Sequence, residues 1–130
     1  MSHTNLIGRP WVANAQGPDS FDCWGLVRYW FRTQHNIVLP ATPVDGGDIR
    51  AVIEGLGALE RDAHVWAEVP LGEAGQVVAM GKNSRVSHVG VHIGGSFVLH
   101  SSRESGMVVV QTVSQLQRRW GTLKIYQYKG

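Results

Sequence analysis

The chain holds a single cysteine, Cys23, in 130 residues. No internal disulfide can form, so the fold does not depend on an oxidising compartment. A zinc cluster built only from cysteines is excluded for the same reason. Long apolar runs are also missing, and no segment approaches the roughly 18–20 apolar residues of a membrane span. The first ten residues, Met1 to Pro10, lack a basic stretch followed by an apolar one, so no secretory signal is expected. Charge of one sign is scarce too. Lysine and arginine together exceed aspartate and glutamate by two, 12 against 10, and the longest basic run is the pair Arg118-Arg119. A pI near 9.0 therefore reflects two scattered charges, and neither a nucleic-acid partner nor a membrane span is expected.

What is present reads as globular: 43% apolar and 17% charged residues. The length fits one domain over residues 1–130. A chain of this size buries roughly two-thirds of its unfolded surface. Gly8, Pro10, Gly17, Pro18, Asp19 and Ser20 mark a loop. A helix is predicted from about Asp22, its N-cap, to His35, with Cys23, Leu26, Val27, Trp30 and Phe31 on the inner face. A second helix is predicted over about Asp48 to Leu59. Strands follow at His64–Val69, Gln76–Met80, His88–Ile93, Ser96–His100, Met107–Thr112 and Leu123–Tyr128, with a short helix at Ser114–Trp120. Helices first and strands after argue an α+β domain with a central antiparallel sheet.

Between His88 and His100 the pattern reads as a hairpin. Val89, Val91 and Ile93 alternate with His88, Gly90 and His92; after Gly94-Gly95, Phe97 and Leu99 alternate with Ser96, Val98 and His100. Alternation puts His88 and His100 on one face. A three-residue turn, Ile93-Gly94-Gly95, would set them directly opposite, Cβ atoms about 5 Å apart; a two-residue turn would mix the faces. His88 and His92 lie roughly 13 Å apart along one strand, too far to share a metal. A site of Cys23, His88 and His100 remains open as a zinc alternative. His3, His35, His64 and His92 read as surface or satisfied core residues.

Cys23 falls in the first turn of its helix, where free N–H groups and the dipole favour a thiolate. A histidine alongside would act as base and acid, and a second could orient the first. The competing reading is that Cys23 is simply a small buried hydrophobe. Gly25, inside the helix, costs about 1 kcal/mol against alanine unless something approaches closely there.

Gly17-Pro-Asp-Ser-Phe-Asp-Cys-Trp-Gly-Leu-Val-Arg28 closely resembles the nucleophile segment of the NlpC-type cell-wall cysteine peptidases. Ser87-His-Val-Gly-Val-His-Ile-Gly94 resembles their base strand. Phe97-Val-Leu-His-Ser-Ser102, with Gly106-Met-Val-Val-Val110, resembles the strand of the third catalytic residue and the one after it. The resemblance spans roughly residues 6–128 in the family's order. It implies a papain-like α+β fold and cleavage of peptide stems in bacterial peptidoglycan, commonly between γ-linked D-glutamate and a diamino acid. It implies Cys23 as nucleophile, His88 as base and His100 as orienting residue, with no cofactor and no metal. Trp11, Asp22 and Trp24 are the candidate substrate and oxyanion residues. Trp24 stands where most cell-wall members have serine, and Asp-Cys-Trp-Gly is similar to the branch found in phage tail-assembly proteins. Trp11 stands for the usual tyrosine, Gln76 for aspartate, and His92 for tyrosine. These features lead to two expectations. One is a peptidase made in the bacterial cytoplasm and carried to the wall with other tail proteins. The other is a structural tail component whose site is silent or vestigial.

Overall fold

The computed structural model describes residues 3–39, 53, 55–83 and 85–129. A single 3-10 turn at His3–Asn5 precedes α1, Cys23–His35. After it come α2 (Ala58–Arg61), β1 (Trp66–Glu68), β2 (Val77–Lys82), β3 (Arg85–Gly94), β4 (Phe97–Ser102), β5 (Met107–Thr112), α3 (Val113–Trp120) and β6 (Thr122–Tyr128). The six strands form one sheet in the order β1-β6-β2-β3-β4-β5, every pair antiparallel. This is the expected α+β architecture. Much of the expected second helix, residues 48–52 and 54, lies outside the described residues. Within the expected span, Ile53, Gly55 and Leu56 are helical and α2 follows. No helix among the described residues is long and apolar enough to cross a membrane.

Alternation along the strands sorts the core into two faces. On one, Val77, Ala79, Val89, Val91 and Leu99 pack with Leu26, Val27, Trp30 and Phe31 of α1. On the other, Val78, Met80 and Val98 meet Leu116 of α3, with Trp120, Leu123 and Ile125 around it. β2 is buried on both sides along Val77–Gly81 because helices cover both of its faces. Each such fully buried aliphatic side chain is worth about 1.5–3 kcal/mol.

Local chemistry sets the boundaries of α1. Asp22 is extended and its Oδ1 accepts from Gly25 N at 2.6 Å, while Asn36 ends the helix in the left-handed region at φ 55°. Gly25 is explained by a neighbour: a Cβ there would lie 2.1 Å from the Ala15 carbonyl oxygen. The loop before α1 runs across its first turn, and only glycine leaves room. α3 begins at Val113, one residue earlier than the pattern suggests. Thr112 and Gln115 form a reciprocal capping box there. β1 is shorter than expected because Val65 and Trp66 donate back to Asp62 O in a turn.

The β3–β4 hairpin corrects the expected register. Val91 pairs with Leu99, His92 with Val98 and Gly94 with Phe97, so the turn is the two residues Gly95-Ser96. Both have positive φ, 60° and 65°, as a type I′ hairpin requires. A bulge between His92 and Gly94 restores the alternation that a two-residue turn would otherwise break. Carried on, this register sets Gly90, not His88, across from His100. The two histidines share a face, but diagonally.

Candidate active site

The β3–β4 ladder ends at Val91 and Leu99, and beyond it the strands stay so close that a Cβ on Gly90 would lie 2.8 Å from His100 Cβ. The segment at the start of α1 is tied to both strands. On one side the Val89 backbone N–H donates to the Cys23 thiol. On the other, Ser101 Oγ donates to the Phe21 carbonyl at 2.7 Å. Cys23 itself is only part-buried. The helix that carries the thiol is therefore anchored to the backbone one residue from His88.

A second bulge aims His88. Met80 pairs with His88 but Gly81 with Val86, which leaves Ser87 as an extra residue immediately before it. His88 Nε2 and His100 Nδ1 are 2.8 Å apart, and His100 Nε2 lies 2.8 Å from Gln111 Oε1. With the Gln111 carbonyl accepting, His100 carries its proton on Nε2. Its Nδ1 then accepts from His88 Nε2–H, which leaves the lone pair of His88 on Nδ1. The His88 ring lies flat on Trp120, centroids 5.5 Å apart and planes 18° from parallel, with the Arg119 guanidinium 4.4 Å from the Trp120 centroid.

Gly90 makes the diagonal contact possible. A Cβ there would lie 2.8 Å from His100 Cβ, the Leu99 carbonyl oxygen and Val98 Cγ1. Sequence reasoning missed Gln111, Ser101, Gly90 and Trp120 as site components. One signal for Gln111 was available: it is a polar residue in the strand run Met-Val-Val-Val-Gln-Thr.

The electrostatics favour neutral groups. Burial pushes the Cys23 thiol up to about 12, and the Asp22 carboxylate adds to this; N–H groups of Val89, Trp24 and Cys23 pull the other way. Desolvation thus outweighs the dipole and the N–H groups of the helix start and disfavours a thiolate. Burial also holds His88 well below the ordinary imidazole value, helped by His100 and Arg119. His100 is lowered by burial against a smaller opposing contribution from Gln111.

The other candidates fall in varied places. Asp22 is buried with both oxygens engaged, Oδ1 by Gly25 N and Oδ2 by Asn14 N at 3.1 Å. Burial raises its pKa despite these bonds and the charge of Arg28. Trp24 is buried in the core, edge-on to Trp66 at 6.4 Å. Trp11 is half-buried, with the Arg103 guanidinium 5.2 Å from its ring centroid. His92 is buried and bonded through Nδ1 to Glu73 O, while His35 and His64 are exposed. Among the described residues no three His, Cys, Asp or Glu side chains converge closely enough to hold a metal.

The sequence model of the NlpC/P60 family matches residues 8–124. The chain belongs to the NlpC/P60 family. That stretch covers α1, the whole of β1 to β5 and the first three residues of β6, and so every candidate site residue named above. Solved structures share its fold. The NlpC/p60 domain of the peptidoglycan hydrolase SagA superposes with a TM-score of 0.59 at 21% identity, over 92% of this chain and 86% of that one. NlpC2 from Trichomonas vaginalis gives a TM-score of 0.66 at 18% identity, over 98% of this chain and 44% of that one. An N-acetylmuramoyl-L-alanine amidase from Bacteroides uniformis gives 0.61 at 12%, over 98% and 97%. No curated protein matches the chain in sequence. At these identities the likeness is one of fold, and the NlpC/P60 assignment rests on the family match.

Proposed function

We propose that this chain is a cysteine peptidase that hydrolyses an amide in the stem peptides of bacterial peptidoglycan, at the bond between γ-linked D-glutamate and a diamino acid. The observation that supports this most is the hydrogen-bonded run His88–His100–Gln111 beside the helix start that carries Cys23. Nδ1 of His88 takes the thiol proton as Cys23 Sγ attacks the carbonyl carbon. The oxyanion is met by the Cys23 backbone N–H, with the Trp11 indole N–H as a second donor. Collapse breaks the C–N bond, and His88 returns its proton to the departing nitrogen, leaving a thioester on Cys23. Water, losing a proton to His88, then attacks the thioester, and the acid leaves as Sγ is reprotonated. His100 orients His88 and spreads the imidazolium charge that forms in each step. Burial disfavours both the thiolate and the imidazolium at rest, which favours proton transfer in step with the attack.

The setting we propose is a phage or prophage tail, where the protein reaches the wall with other tail proteins. The Asp22-Cys-Trp-Gly25 segment supports that reading, since Trp24 replaces the serine of most cell-wall members. Purified peptidoglycan and defined stem peptides, digested and analysed by mass, test the chemistry. Wild type should release fragments cut at one amide, and Cys23→Ala should release none. Equal release by the two proteins would overturn the mechanism. No release by either would favour a structural tail component with a silent site.

A further inference from the structure

A cleft of about 290 Å³ opens beside His88, walled by Ser87, Ser102, Arg103, Glu104, Arg119 and Trp120. Its charges do not balance. Arg119 is already paired: its Nε donates to Glu104 Oε2 at 2.8 Å and its Nη2 to the same oxygen. Arg103 makes no ion pair among the described residues; its guanidinium rests over the Trp11 ring. One positive charge therefore remains on the wall. Ser102 Oγ accepts from Ser105 N at 3.0 Å, which leaves its O–H to donate elsewhere. A planar group with two acceptor oxygens fits an arginine and a nearby hydroxyl better than a neutral amide does.

The position of the cleft decides which part of a substrate enters it. In the reaction proposed above, the acyl half of the scissile amide stays on Cys23, at the end of α1. The amine half receives its proton from His88, so the departing residue lies on the His88 side, where the cleft begins. We propose that this cleft is the leaving-group subsite and that Arg103 binds a free carboxylate on the residue whose amine departs. The inference rests on the peptidase reading and adds to it a preference for an acidic leaving residue. That carboxylate is either the chain-terminal one or one on the side chain of a diamino diacid; both offer the same chemistry.

Three γ-glutamyl–diamino acid peptides separate the cases: one with a free chain-terminal carboxylate, one with only a side-chain carboxylate, and one with both amidated. Wild type should cleave one of the free-acid peptides with kcat/KM roughly tenfold above the diamide, the loss expected when a charge-assisted hydrogen bond is removed. Arg103→Gln should lower the preferred peptide to the diamide level, chiefly through KM. Arg118→Gln, a neighbouring arginine outside the cleft, should leave the ratio unchanged. Equal rates on all three peptides, or a preference that survives Arg103→Gln, would overturn the subsite. Binding of the same peptides to Cys23→Ala gives a readout that needs no turnover. Carboxylate-selective binding lost with Arg103→Gln, alongside a wild type that cuts nothing, would uphold the subsite and defeat the peptidase reading. Turnover without selectivity would do the reverse.

Discussion

Gln111 Oε1 lies 2.8 Å from His100 Nε2 and thereby decides where His100 carries its proton. The consequence passes along the sheet. A proton on Nε2 leaves Nδ1 as acceptor for His88, and His88 then presents its own lone pair on Nδ1.

Gln111→Leu should therefore lower kcat by about tenfold, the cost of one hydrogen bond that fixes a tautomer. Gln111→Glu restores the acceptor and adds a negative charge that favours the imidazolium. It should recover most of the activity and move the acid limb of the rate profile to higher pH. A purely structural role would give both variants lower stability and an unmoved limb. Steady-state kinetics from pH 4 to 9, with thermal melts as control, distinguish the two.

Gly90→Ala should damage the site more than its size suggests. The new Cβ meets three atoms at 2.8 Å, one of them the backbone oxygen of Leu99, which cannot turn away. Overpacking of this kind costs about 1–3 kcal/mol. The strand must shift away from His100, lengthening the contact to His88. A lower melting temperature together with a fall in kcat is the expected outcome; unchanged kcat would mean that the diagonal contact tolerates the shift.

Stability should fall toward acid and toward alkali. His88 and His100 have folded pKa values below their unfolded ones, so the folded state resists protonation. Their contribution is complete above the unfolded value of about 6.5 and is lost as pH falls toward the folded values, at up to about 1.4 kcal/mol per pH unit for each group. The Cys23 thiol is raised to about 12, so its contribution is complete below its unfolded value and is lost as pH climbs toward 12. Thermal melts against pH should show both limbs, the acid one flattened in His100→Asn. The same shift predicts that alkylation of Cys23 by iodoacetamide keeps accelerating well above neutral pH. A plateau below pH 8 would indicate a resting thiolate–imidazolium pair instead.

Much of the site is readable from one dimension. Asp22 as N-cap followed by Cys23 needs only the capping preference and the apolar spacing of Leu26, Val27, Trp30 and Phe31. That His88 and His100 share a face needs only the period of two. Their diagonal offset was not readable, because a bulge at Ile93 has no periodic signature and its single extra residue exactly cancels the parity of the Gly95-Ser96 turn. Gly90 and Gln111 were missed for a related reason: each matters through what lies across from it on another strand.

By itself the sequence determined most of the described elements, the two-faced sheet and the shared face of His88 and His100, since these follow from local propensity and side-chain period; the place of Cys23 beside them rests on the family resemblance. Tertiary structure decided the rest. It tied the start of α1 to β3 and β4, buried thiol and imidazole so that their charged forms are disfavoured, and brought Gln111 and Trp120 against the histidines. Those outcomes depend on desolvation and on register between distant segments, and both are set by how the strands pack.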